Sequence, residues 1–267
     1  MYQKKILINL SVFNSFKNLN KIFYQINQSK IKIKKIIIVD NNSTIPLNKK
    51  LSIANDLSKK YRIKICLIIN KQNYGFGGSQ KILFAYLKNI DFDYLINLGT
   101  SDRYKVLAVM KDLKKSINKQ YDYYLYSRFL NKESTRKYNR VRRDFNIIFI
   151  LLTKILTGTY FSDPGQSTYI LTKKLFKKLD KLNIKNITNG SHFPHFFNIK
   201  LYKSSINFQE IPIFWKDGNV KSHLNAFSYV PIFLFSLIKY FFTKEFIIEK
   251  NNTFKFKIFN FSNGKRN

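Results

Sequence analysis

Residues 36–44 read Ile-Ile-Ile-Val-Asp-Asn-Asn-Ser-Thr, an unbroken apolar run, mostly β-branched, that ends on Asp40 and turns polar. Such a run suits a central strand covered on both faces, and the polar residues after it are turn chemistry. The strand delivers a carboxylate to the end of a sheet. In open α/β sheets ligands bind beyond the carboxyl ends of parallel strands, so Asp40 stands where the ribose or base of a nucleotide can be gripped; an Asx-type turn closing a strand accounts for the same residues. Residues 73–79, Asn-Tyr-Gly-Phe-Gly-Gly-Ser, form a glycine loop ahead of a helix. It is neither a Gly-x-x-x-x-Gly-Lys-Ser phosphate loop nor a dinucleotide fingerprint. His192 and His195, around Phe193-Pro194, are candidate general bases, although a lone histidine is more often structural. A hydroxyl acceptor needs such a base; a phosphate monoester is already a competent nucleophile near neutral pH.

The elements that must position these residues alternate. Apolar runs at 6–12, 36–39, 63–70 and 94–98 predict strands. Between and after them, helical spacing recurs at Leu19, Ile22, Phe23 and Ile26, at Leu51, Ala54 and Leu57, at Ile82, Leu83, Tyr86 and Leu87 behind a Ser79 cap, and over 106–117. This alternation calls for right-handed crossovers and an α/β, doubly wound, mainly parallel sheet. Beyond it, 121–127 reads as extended, 139–156 as a long helix opening on Arg140, Arg142 and Arg143, 163–166 as a loop, 167–171 as a strand and 173–182 as a basic helix. No repeat or low-complexity linker divides the chain, which reads as a domain over 1–224 with a tail over 225–267.

At 267 residues the chain can bury a sizeable core, and 45% hydrophobic residues exclude a disordered protein. Its 26 Phe and 17 Tyr exceed what such a core needs, so some rings face a partner or lipid. The formal charge of +33 comes mostly from lysine, with only eight Arg. It reads equally as a compositional bias or as attraction to anionic lipid headgroups or phosphorylated substrates. Nucleic acid is the weakest partner, since the cations are spread along the chain and match no reading motif. Cys66, the only cysteine, can form no internal disulfide, and the first apolar run is too short for a signal peptide. These features predict a cytoplasmic protein. Residues 226–242 are apolar but interrupted by Pro231 and Lys239, short of the roughly 20 needed to span a bilayer. With 147–156 they either pack on the core or form a face lying in the headgroup region, which would place the protein peripherally on the inner face of the membrane. Residues 254–261 alternate apolar with Lys and Asn, as an edge strand or a lipid-touching hairpin does.

Taken in order, Ser11-Val12-Phe13-Asn14, Val39-Asp40-Asn41-Asn42-Ser43-Thr44, the glycine stretch and a strand leading to Asp102 resemble glycosyltransferase family 2, over roughly residues 4–224. The resemblance implies a GT-A fold and transfer of a sugar, with inversion, from a nucleotide diphosphate donor. It assigns Ser11 (where the family has proline), Phe13, Asn14, Asp40, Asn73, Gly75, Gly77 and Gly78 to the donor, the glycines because a Cβ would hold the backbone away. The family's Asp-x-Asp, which holds Mg²⁺ or Mn²⁺, is replaced at Gly99 and Ser101. Asp102 alone remains as a catalytic or metal carboxylate. Either it holds the ion with water and phosphate, or cations such as Arg103 neutralise the diphosphate instead. Tyr126-Ser127-Arg128-Phe129 resembles the acceptor-side Gly-Ser-Arg-Phe. Asp163-Pro164-Gly165-Gln166-Ser167 resembles the Asp-x-Gly-Cys segment of members that glycosylate polyprenyl phosphates. Asp163 is then a base or acceptor-positioning group beside His195, with Arg128, Gln166 and His192 toward the acceptor. Residues 210–222 match a Glu-x-Pro-Ile strand and basic loop whose Lys216 and Lys221 fold over the diphosphate and exclude water. The implied function is a membrane-surface glycosyltransferase with a lipid-linked phosphate or glycan acceptor, in cell-envelope polysaccharide or glycolipid synthesis. The alternative is a degenerate member that binds nucleotide or glycan without catalysis.

Overall fold

In the computed structural model, residues 4–117, 121–216, 226–246, 253–263 and 265–266 are described. The first half alternates as its apolar pattern dictates: β1 (Ile6–Val12), α1 (Leu19–Gln28), β2 (Lys35–Asp40), α2 (Leu47–Tyr61), β3 (Ile65–Asn70), α3 (Gly75–Leu87), β4 (Tyr94–Gly99) and α4 (Val106–Ser116). The second half runs β5 (Tyr123–Ser127), α5 (Lys132–Lys137), α6 (Arg140–Thr157), β6 (Tyr169–Thr172), α7 (Lys173–Lys178), α8 (Phe193–Lys203), β7 (Phe208–Pro212), α9 (Ala226–Thr243), β8 (Phe256–Ser262) and β9 (Lys265–Arg266).

Among the described residues these strands form one sheet in the order β7-β5-β6-β4-β1-β2-β3-β8-β9. Its centre, β4-β1-β2-β3, is parallel throughout, with Ser11 opposite Gly99 and Val12 opposite Asp40, so these strands deliver their last residues to one edge. The flanks are mixed: β6 runs antiparallel to both β4 and β5, and β8 antiparallel to β3. The central strands are apolar at nearly every position because both faces are covered. Leu7, Ile37, Val39, Cys66 and Leu95 pack toward α3, α8 and α9, while Ile8, Ile36, Ile38, Leu67 and Ile96 pack toward α1, α2 and α4.

Three expectations shift. Helix α3 begins at Gly75, ahead of Ser79, because backbone carbonyls elsewhere in the fold supply its first-turn partners. Helix α8 left no trace in the apolar periodicity: residues 193–199 and 201 are all buried, so the helix has no polar stripe to alternate with. The tail divides. Helix α9 packs on α6, with the Phe149 and Phe233 rings 4.9 Å apart, whereas β8 adds antiparallel to β3 and carries the two-residue β9 on its outer side. The boundary expected at 224/225 falls in 217–225, outside the described residues. No helix among them is long and apolar enough to cross a membrane.

Candidate functional site

At the carboxyl edge of the parallel strands, on the α3 side, lies a cavity of about 340 Å³. It is lined by Ser11 and Phe13 from the end of β1, Asn73 and Gly75 from the loop after β3, and Asn41, Ser79 and Ser191. The sequence reading missed Asn41, which does the most to shape the wall. Its Oδ1 accepts from the Tyr74 N–H at 2.9 Å and from Asn70 Nδ2 at 3.2 Å, and its Nδ2 donates to Asn73 Oδ1 at 2.6 Å. The signal was the polar residue directly after the strand-end aspartate, free of the strand's alternation. Ser11 is held from below: its Oγ accepts from Gln80 Nε2 at 2.9 Å and Asn9 Nδ2 at 3.1 Å. Both amides also reach Asn97 Oδ1, and Asn97 Nδ2 donates to the Ser167 carbonyl at 2.6 Å. A buried polar network thus connects the cavity floor to the Asp163–Ser167 loop.

Asp40 is not in the cavity wall. Alternation puts it on the face of Ile36 and Ile38, beneath α2, where its Oδ2 pairs with Lys50 Nζ at 2.7 Å and its Oδ1 accepts the Ser43 N–H at 3.0 Å. Both side chains are buried, so the carboxylate fixes the β2 turn and grips no ribose. Asn14 also works on the turn, accepting from the Thr44 N–H and donating its own N–H to Ser43 Oγ. The glycines answer mainly to protein backbone. A Cβ on Gly75 would collide with the Asn189 carbonyl and one on Gly77 with that of Thr188; Gly75 also needs its φ of +74°. The Gly77 and Gly78 N–H groups donate to the carbonyls of Gly190 and Asn189, so these helix-start donors are already satisfied and do not face a phosphate.

At the end of β4 the metal expectation meets the donor set. Gly99 offers no ligand, although only the Tyr104 hydroxyl, 3.9 Å away, would meet a Cβ there. Thr100 Oγ1 donates to the Ser11 carbonyl and bonds Ser15 Oγ. Asp102 pairs with Lys21 at 3.1 Å, both more than half exposed. Among the described residues no cluster of three His, Cys, Asp or Glu could hold an ion. The residues present do not fit a two-carboxylate Mg²⁺ or Mn²⁺ site.

Across β4 lies a cationic and aromatic cluster. Both Asp163 oxygens accept from the Arg128 guanidinium at 2.7 Å, and Oδ2 also takes the Arg128 N–H at 3.0 Å. A carboxylate so engaged is a poor base; Asp163 positions Arg128 instead. Trp215, to which the sequence reading gave no role, stacks on Tyr104 at 5.7 Å and carries Arg103 and Arg128 within 6 Å of its ring. Lys216 is exposed and joined to this cluster by its N–H to the Arg103 carbonyl at 2.7 Å. Lys221 lies outside the described residues. Gln166 is buried, its Oε1 accepting from the Ser167 and Thr168 N–H groups. Glu210 accepts hydrogen bonds from the Ser162 N–H and hydroxyl, yet burial raises its carboxyl above the usual range.

The histidines are core residues. His195 shares a 3.0 Å hydrogen bond with Thr153 Oγ1 and meets Phe233 edge-on, and burial, reinforced by His192 and Arg128, pushes it down to about 3. It is a neutral, buried group packed between Thr153 and Phe233. His192 stacks on Phe196 and Phe233.

A parallel α/β sheet with a cavity at its carboxyl edge, closed by antiparallel strands on both flanks, places the protein in the GT-A class. The description "Glycosyl transferase family 2" matches residues 8–200, and the chain belongs to that family of nucleotide-sugar-dependent glycosyltransferases. No curated protein matches its sequence significantly. Among solved structures it is similar to glucosyl-3-phosphoglycerate synthase from Mycobacterium tuberculosis in complex with Mn²⁺, UDP and phosphoglyceric acid (TM-score 0.59, 10% identity, 97% of this chain and 88% of that one). It is also similar to S. aureus TarS residues 1–349 (0.53, 14%, 90% and 73%). A third is the mannosyltransferase PcManGT from Pyrobaculum calidifontis in complex with GDP-Man and Mn²⁺ (0.55, 11%, 91% and 64%). At these identities the likeness is one of fold.

The buried groups give two measurable outcomes. Lys50→Met strands the Asp40 carboxylate and should cost about 3–5 kcal/mol in urea unfolding, with partial recovery on adding Asp40→Asn. His195 is held neutral in the fold but protonates when unfolded, so its contribution is complete above the ordinary value of 6.5 and declines as pH falls toward 3. Stability should drop by about 1.4 kcal/mol per pH unit in that window. The slope of wild type minus His195→Gln, read from thermal melts, isolates it.

Proposed function

We propose that the chain seats a nucleotide diphosphate-sugar in the cavity between β1 and the loops after β2 and β3, and transfers the sugar with inversion to an acceptor entering over Arg128 and Trp215. What carries this reading is that Ser11, Phe13, Asn73 and Gly75, far apart in sequence, line one cavity at the carboxyl edge of the parallel strands. UDP and GDP-Man in the structural neighbours support it as a donor site. Residues 1–224 carry this chemistry and 225–267 serve as the tail.

The acceptor reading follows from how three candidate bases among the described residues are engaged. Asp163 is bound by Arg128, His195 is buried and neutral, and Asp102 pairs with Lys21. A sugar hydroxyl would need a proton acceptor within reach; a phosphate monoester would not. A lipid-linked phosphate is therefore the acceptor class this centre suits, in synthesis of envelope polysaccharide or glycolipid at the membrane surface. Charge on the departing diphosphate is met by Arg103 and Lys216 rather than by an ion on Asp-x-Asp, so positioning and fixed cations supply most of the rate. The lost carboxylate pair also favours a second reading, a member that binds nucleotide without turnover.

Incubation with radiolabelled UDP- and GDP-sugars and a bacterial lipid extract in EDTA should move label into an organic-soluble product, and Asn41→Ala should raise donor KM by roughly tenfold. Tight nucleotide binding without transfer or hydrolysis of any common donor would leave the non-catalytic reading standing.

A further inference from the structure

We propose that the outer faces of α6 and α9 together form a surface that docks on an anionic lipid bilayer. The proposal deepens the acceptor reading by naming the face that meets the membrane, and it rests on that reading only for its purpose. Helix α6 packs inward through Phe149, Leu152 and Leu156 and carries a second apolar stripe on its outer side. Its buried residues are two threonines, Thr153 and Thr157, while Val141, Phe145, Ile148, Leu151 and Ile155 stand exposed at helical spacing, Ile155 by 65%. A helix packed on a globular core turns its apolar stripe inward. Helix α9 buries Phe233, Leu237 and Tyr240 in the core and leaves Ile232, Phe235, Ile238 and Phe242 exposed, the last by 76%. Contact between Phe149 and Phe233 packs α9 on α6, and the apolar side chains that the two neighbouring helices leave outside are more than monomeric surfaces usually leave bare.

The rim identifies the occupant. Arg140, Arg142 and Arg143 open α6, Lys154 lies over the exposed Tyr160 ring at 4.8 Å, and Lys244 lies over Phe241 at 5.5 Å. Cations and aromatics around an apolar face match the interface of an anionic leaflet. A second copy of this chain is the poorer occupant, because at +33 it brings like charge to the same rim. The face adjoins the acceptor cluster: Tyr138, just ahead of α6, accepts from Arg128 Nη1 at 3.3 Å. Docking would set the acceptor arginine at headgroup level.

The test is cosedimentation of the full chain with vesicles of phosphatidylcholine alone or mixed equally with phosphatidylglycerol, neither holding an acceptor. Wild type should pellet with the anionic vesicles at least tenfold better, and Ile155→Glu/Phe235→Glu should lose that while keeping its UDP and GDP affinity. Equal binding by the double variant would overturn the proposal, as would a wild-type dimer that the same changes dissociate. Vesicle binding without sugar transfer would sink the acceptor reading and leave the docking face supported.

A separate observation concerns the donor loop. We infer that the strand entering β8, which lies beyond the family match, acts as a strap whose Phe254 and Lys255 position Tyr74. The Lys71 N–H donates to the Lys255 carbonyl at 2.9 Å, the Lys255 N–H donates to the Tyr74 hydroxyl at 2.8 Å, and the Tyr74 and Phe254 rings meet edge-on at 5.1 Å. Gly78 makes room, since a Cβ there would sit 2.6 Å from Tyr74 Cβ. With its N–H on Asn41 Oδ1, Tyr74 is gripped between the cavity wall and the strap. Phe254→Ala and Tyr74→Phe in the full chain should weaken UDP or GDP binding by about tenfold in calorimetry, with kcat at saturating donor unchanged and Phe254→Tyr restoring affinity. Lower thermal stability with wild-type affinity would reduce the strap to a structural edge. Wild type binding neither nucleotide would overturn the donor reading and this inference with it.

Discussion

The side chain of Asn41 is the joint on which this site depends. One amide accepts from the Tyr74 backbone and Asn70 and donates to Asn73, fastening the turn after β2 to the loop after β3. Beneath it, the buried Asp40–Lys50 pair is completed by the Ser43 N–H and carbonyl, so each charge is hydrogen-bonded beyond its partner. Fully satisfied buried polar groups fix geometry, because any alternative leaves a charge or an amide unpaired in a low dielectric. The wall of the donor cavity is therefore set before any ligand arrives, and binding need not bear the cost of ordering it.

The same economy of charge shapes the reacting centre. A carboxylate pair and an ion would concentrate positive charge at one point beside the diphosphate; here the acids are already neutralised, Asp102 by Lys21 and Asp163 by Arg128. Beside them lies a largely buried cationic and aromatic group, Arg103 and Arg128 both held against the Trp215 ring. Guanidinium groups held over a ring keep a fixed orientation with little left to reorganise as charge moves, which is how preorganised electrostatics stabilise a departing anion.

Much of this is legible in the chain. The four parallel strands stem from apolar runs too continuous for a one-sided sheet, and the family order of motifs sets the cavity at their ends. Asp40 departs from expectation because a strand-end carboxylate need not point out of the sheet; period-two alternation from Ile36 and Ile38 puts it under α2 instead. Gly77 and Gly78 serve a backbone contact with 188–190, a partner more than a hundred residues away that local spacing cannot reveal. The histidines suggest bases because their residue type permits it. Only burial beside Phe233 shows otherwise. Asn41 and Trp215 are invisible for the opposite reason, since neither residue type advertises the contacts that give it importance.

The apolar outer face of helix α6 extends this logic to the whole molecule. Besides the Phe149, Leu152 and Leu156 that it turns inward with Thr153 and Thr157, the helix leaves Ile148, Leu151 and Ile155 outward, and exposure on that scale persists where function compensates it. Thr153 is needed inside because His195, neutral and buried, requires a polar partner. One face of the helix is committed to that hydrogen bond and to Phe149, Leu152 and Leu156 against the core, and the other apolar residues lie on the outer surface. The packing of the acceptor side and the character of the outer face are thus set by one helix, so neither can be altered without the other.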